Sequence, residues 1–125
     1  MQRLRFADVE TGYWDKFGTS IDLMTWADLF ADLDYRYVGK SQIRENGNVH
    51  TVGTIWLGHV LDPREPAHIF ETALFPANDR CRVLRRYPSL DDAERGHRET
   101  VDDLAARHPG AEVVDVAADA DLRLA

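Results

Sequence analysis

The dipeptide Asn46-Gly47 constrains this chain more than any other feature of its sequence. Both residues tolerate positive φ, which a two-residue type I′ hairpin turn demands at both central positions. The pair is flanked by YRYVGKSQIR (35–44) and NVHTVGTIWLG (48–58), runs rich in β-branched and aromatic residues, so the whole reads as a hairpin. A second pair of strand candidates, HIFETALF (68–75) and RCRVLRRY (80–87), is joined by Pro76-Ala-Asn-Asp79, a loop of hairpin length. Short links between successive strands lead to an antiparallel meander, because parallel pairing needs a long crossover.

Helical patterns flank the four strands. In TWADLFADL (25–33), Trp26, Leu29, Phe30 and Leu33 fall on one face, and Thr25 with Asp28 resembles a capping box. In SLDDAERGHRETVDDLAARHPG (89–110), Ser89 is an N-cap and Asp91 and Asp92 suit the positive helix end. Leu90, Ala93, His97, Val101 and Leu104 follow at helical spacing, and Pro109-Gly110 supplies the stop. Gly96, inside this helix, predicts a close approach to the sheet. Residues 1–20 read as an irregular or short-hairpin entry, and 109–125 as an edge strand at AEVVDV followed by a frayed tail. The expected fold is α+β: a four-stranded antiparallel meander with the N-terminal and C-terminal helices on one face, all in a single domain, 1–125.

Composition narrows the classes of function. The chain of 125 residues carries a net charge of −7, which argues against binding a nucleic-acid backbone. No apolar run approaches the roughly 20 residues of a membrane helix. MQRLRFADVETGYW lacks the continuous apolar stretch of a signal peptide, and a lone Cys81 excludes a disulfide framework, so a cytoplasmic location is expected. No phosphate-binding glycine loop, nucleophile elbow or H-E-x-x-H is present, and no cofactor is expected.

Alternation places bulk on both faces of the central strands. Phe70, Thr72 and Leu74 oppose Ile69, Glu71, Ala73 and Phe75, while Val52, Thr54 and Trp56 oppose Thr51, Gly53, Ile55 and Leu57. Such a sheet expects cover on both faces, from residues 1–20, the 59–67 loop or another subunit. Glu71, mid-strand among apolar neighbours, is a candidate general base, with His59 or His68 beside it. The simpler expectation is a cross-strand ion pair with Arg82, Arg85 or Arg86, or with Lys40 or Arg44. Trp56 and Tyr87 are candidate ligand platforms, with Arg82 and Arg86 as basic residues on a shared strand face. His50, His59 and His68 lack zinc-ligand spacing, so no metal site is expected. His97, within the helical stripe, reads as a packed histidine with one nitrogen on a backbone carbonyl.

WADLFADLDYRYV (26–38), TIWLG (54–58), HIFETALF (68–75) and RRYPSLDDAERGH (85–97), with YWDKFG (13–18), give an order of motifs. In that order the chain resembles short uncharacterised proteins of actinobacterial phages and their hosts. Those proteins carry D-H shortly after W-L-G, where this chain has His59-Val-Leu-Asp62. The resemblance implies a host-interaction or anti-defence accessory role and no particular mechanism. The leading expectation is therefore a non-enzymatic binding module acting on a protein partner or on a second copy of itself. The alternatives are a small-ligand or nucleotide binder or hydrolase built on Glu71, and a structural subunit of a larger assembly.

Overall fold

The computed structural model describes residues 12–59 and 68–120. The elements run β1 (Tyr13–Trp14), β2 (Ser20–Ile21), α1 (Leu23–Phe30), α2 (Leu33–Arg36), β3 (Tyr37–Glu45), β4 (Asn48–Trp56), β5 (Phe70–Phe75), β6 (Arg82–Tyr87), α3 (Leu90–Arg107) and β7 (Glu112–Asp115). The fold is α+β, but the expected four-stranded meander is five-stranded, in the antiparallel order β6-β5-β4-β3-β7. The fifth strand is the AEVVDV segment, which returns after α3 to pair with β3, Ser41 opposite Asp115 and Ile43 opposite Val113. Among the described residues no helix is long and apolar enough to cross a membrane.

The Asn46-Gly47 turn forms as its chemistry requires, with φ of 52° and 84°. The first helix begins earlier than Thr25. Asp22 is the N-cap, its carboxylate accepting from Thr25 N at 2.8 Å, so Thr25 is the third helical residue rather than the cap. The helix also stops at Phe30, because Asp32 adopts an extended conformation and caps a new turn, accepting from Tyr35 N at 3.2 Å. Ser89 caps α3 as expected, accepting from Asp92 N.

Helix α3 lies across one face of the sheet and buries Ala93, Gly96, His97, Thr100 and Val101. Ile43, Val52, Leu74 and Val101 form one apolar cluster there; Trp56, Ile69, Phe70, Tyr87 and Ala93 form a second. Helix α1 does not lie across the sheet beside α3. It sits at the end of β4, where Trp26 Nε1 donates to Leu57 O at 2.8 Å and Phe30 packs against Trp56. The entry hairpin closes the same end, Trp56 Nε1 donating to Trp14 O at 2.9 Å.

Two bulges reset the alternation of side chains. At Val38 the register shifts, so Tyr37 pairs with Ile55 while Gly39 pairs with Thr54 on the opposite face. At Leu84 the same happens in β6: Val83 pairs with Ala73 and Arg85 with Thr72. Strict alternation put Arg82 with Arg86, but the bulge separates them. Arg82 shares the helix face with Arg85, and Arg86 sits opposite Glu71 on the other face.

That other face is partly covered by a segment expected to fray. Val116 N donates to Lys40 O, and buried Lys40 donates through Nζ to Ala118 O at 2.9 Å, so residues 116–120 are held over β3. Among the described residues, Phe75 of β5 and Val83 of β6 stay exposed on that face.

Candidate functional site

On the helix face, a row of hydroxyls and one imidazole crosses the core. Tyr87 OH, Thr72 Oγ1, Thr54 Oγ1 and His97 Nδ1 are spaced 2.9, 2.6 and 2.7 Å apart. His97 Nε2 lies 2.9 Å from Ser41 Oγ, which donates to Asp115 Oδ1 at 2.7 Å. Proton counting assigns every direction. Ser41 has one proton, which goes to the carboxylate, so Nε2–H of neutral His97 must donate to Ser41. Nδ1 then accepts from Thr54, which accepts from Thr72, which accepts from Tyr87. All the donors therefore point one way, toward Asp115.

Burial holds the His97 pKa below its ordinary value of 6.5, with Asp115 opposing and Arg98 reinforcing the shift. His97 packs under the sheet as expected, but both nitrogens bond side-chain hydroxyls rather than one bonding a carbonyl. A readable signal was present: Thr54 and Thr72 interrupt otherwise apolar faces of neighbouring strands. Ser41, His97 and Asp115 have the residue types of a nucleophile triad, yet the order differs. The carboxylate holds the serine, not the imidazole, and Ser41 is only 1% exposed. This chain is a structural network within the core.

The open face carries a groove of about 210 Å³. Ile55, Ala73, Phe75 and Val83 supply its apolar lining, and Arg36, Glu71 and Cys81 its polar groups. Glu71 is 15% exposed along its side chain and meets Arg86 Nε at 3.6 Å, as the cross-strand reading expects. Phe75 and Val83 remain 44% and 43% exposed at its rim. Tyr37 packs over Gly53, where an added Cβ would meet its ring at 3.2 Å.

The other sequence candidates lie apart from this groove. Trp56 and Tyr87 are buried in the helix-side core and offer no ring face to a ligand. Arg82 is exposed on the helix side of the β6 edge. His59 stacks on Tyr13, ring centroids 5.0 Å apart, at the entry hairpin. His50 lies at the far end of β4, accepting from Ala77 N and facing His108. His68 is half-buried just before β5. Asp62 and the rest of 60–67 lie outside the described residues, as do residues 1–11 with Phe6. The groove lining named above does not include His59 or His68, and Glu71 pairs with an arginine rather than with a loop histidine. No group of three His, Cys, Asp or Glu residues suited to a metal ion occurs among the described residues.

Comparison with protein-family models, curated proteins and solved structures finds no match.

Proposed function

We propose that this protein is a non-enzymatic binding module that holds a protein partner against the open face of its sheet. The observation that carries the reading is the groove there, apolar, rimmed by half-exposed Phe75 and Val83, and left uncovered by the 116–120 segment. Its volume of about 210 Å³ lies below the roughly 300–1,000 Å³ of drug-sized ligand sites. It suits a single anchoring side chain of a partner, the usual centre of a protein interface. A small-ligand hydrolase finds less support, since Glu71 faces Arg86 and the Ser41–His97 pair is shut inside the core.

A second copy of the chain is the less favoured partner. Two β6 edges paired about a two-fold axis would bring Arg82, Arg85 and Arg86 of both copies close together, a like-charge arrangement. The resemblance of the motif order to phage and host proteins supports a host-interaction or anti-defence accessory role, carried out in the cytoplasm.

Cys81 is the chain's single cysteine, exposed and at the groove, so it accepts a thiol-linked photo-crosslinker. Crosslinking in host lysate should yield a defined product from Cys81 that disappears when Ala73→Arg fills the groove. The same probe placed at Val113 in a Cys81→Ser background is the control. Equal products from both positions, or no effect of Ala73→Arg, would refute the reading. A product of two copies of this chain would make the partner itself.

A further inference from the structure

We propose that the groove receives the C-terminal residue of the partner, taking its apolar side chain and its α-carboxylate together. The inference rests on the open face being the binding surface and adds the chemistry of what enters it.

Charge decides the sign of the ligand. Arg36 lines the groove, and Arg86 stands beside it, opposite Glu71. Arg86 is matched by Glu71 at 3.6 Å, so those two charges offset one another. Arg36 makes no ion pair with any described residue. Its guanidinium rests on the Phe30 ring, 4.0 Å from the centroid, and its Nε is buried without an acceptor. The rest of the guanidinium carries an unmatched positive charge at the half-buried groove lining, where a carboxylate can pair with it. A guanidinium on an aromatic ring is also held in place before any ligand arrives, which suits planar recognition of a carboxylate.

Size and arrangement decide what bears the carboxylate. Apolar lining from Ile55, Ala73, Phe75 and Val83 shares one small groove with Arg36. At about 210 Å³ it accommodates one residue rather than a folded stretch. A C-terminal residue with an apolar side chain presents both groups from a single Cα. Capture of a C-terminal carboxylate is an established mode of peptide recognition in other folds. Glu71 repels a carboxylate on its own side, so the bound anion must lie toward Arg36 and away from the Glu71–Arg86 pair.

The test uses the ¹⁵N-labelled full chain and two pentapeptides, both of sequence GSGSF, one with a free C-terminus and one amidated. The free acid is expected to shift the amide resonances of Ile55, Ala73 and Phe75, with the amide at least tenfold weaker. Arg36→Gln should bring the free acid down to the level of the amide. Arg36→Lys, which keeps the charge without the planar fork, should fall between. The resonance dispersion of each variant confirms that it folds.

Equal binding of acid and amide overturns the proposal, as does an Arg36→Gln variant that preserves their difference. An amidated GSFDG peptide binding as well as the free acid would assign the carboxylate to an internal residue and overturn the C-terminal form. Absence of any shift at millimolar peptide also overturns it. If crosslinking from Cys81 succeeds while these titrations fail, only the carboxylate is withdrawn. Failure of both withdraws the surface itself.

Discussion

His97 Nε2 lies 2.9 Å from Ser41 Oγ, and because that hydroxyl donates to Asp115, the imidazole must be the donor in the pair. The histidine is thus a neutral Nε2–H tautomer. ¹⁵N spectra of the imidazole should show Nε2 as a protonated, pyrrole-like nitrogen and Nδ1 as an unprotonated acceptor. The reverse pattern would break the directional assignment from Tyr87 to Asp115.

Replacing His97 by Phe keeps the bulk but leaves Thr54 without an acceptor and Ser41 without its donor, both in the core. Each unmatched buried group costs about 1–3 kcal/mol, so the variant should lose about 2–6 kcal/mol in urea unfolding. His97→Gln, which retains polar atoms, should lose less. Equal losses would mean that packing and not hydrogen bonding makes the residue necessary.

The pH dependence has a definite sign. The folded-state pKa of His97 is lowered from 6.5, chiefly by burial, so below that value the unfolded chain binds a proton that the folded chain refuses. This contribution to stability is complete above about pH 6.5 and is lost as pH falls toward the lowered pKa, by at most about 1.4 kcal/mol per pH unit. Protonation would also make Nδ1 a donor and force Thr54, Thr72 and Tyr87 to reverse. Unfolding midpoints at about pH 7 and about pH 5 should therefore differ more in the parent than in His97→Gln, with the other histidines common to both. An equal difference in the two proteins would refute the assignment.

Gly96→Ala should destabilise, against the gain of about 1 kcal/mol that alanine brings to a helix interior. The new Cβ would stand 2.2 Å from the Tyr87 ring, so strand and helix must part. A net loss of about 1–3 kcal/mol is expected, with the Tyr87–Thr72 hydrogen bond the first contact disturbed. Thermal unfolding that moves upward instead would show the helix free to shift.

Gly47→Ala provides the contrast. Nothing lies within 4 Å of an added Cβ there, and the cost comes from φ of 84° alone. About 1–2 kcal/mol is expected in chemical denaturation, with the strand register unchanged by NMR. A changed register would mean that the turn selects the pairing rather than only permitting it.

Much of this fold was legible in local chemistry. Asn46-Gly47 gave the central hairpin, Ser89 the cap of the long helix, and Gly96 the close approach now seen against Tyr87. The Asp22 cap was less legible, because the apolar stripe begins only at Trp26, one turn further on. The bulges at Val38 and Leu84 were not legible because each adds one residue without any residue type to announce it, and the one at Leu84 decides which arginine faces Glu71. Glu71 and its arginine partner were readable from cross-strand pairing. Arg36 was not, since its role depends on a one-turn helix that no periodicity signals. The Thr54–Thr72 contact was written in the alternation, but its extension to Ser41 and Asp115 needed the fifth strand.

That fifth strand gives the hydroxyl row a place in time. Its members come from residues 41, 54, 72, 87, 97 and 115, so the acceptor that orients all the others is the last to be synthesised. At about 5–20 residues per second, the ribosome needs about one to four seconds to travel from His97 to Asp115. Until that strand pairs, the imidazole has no anion to choose its tautomer and β3 is an edge with no neighbour.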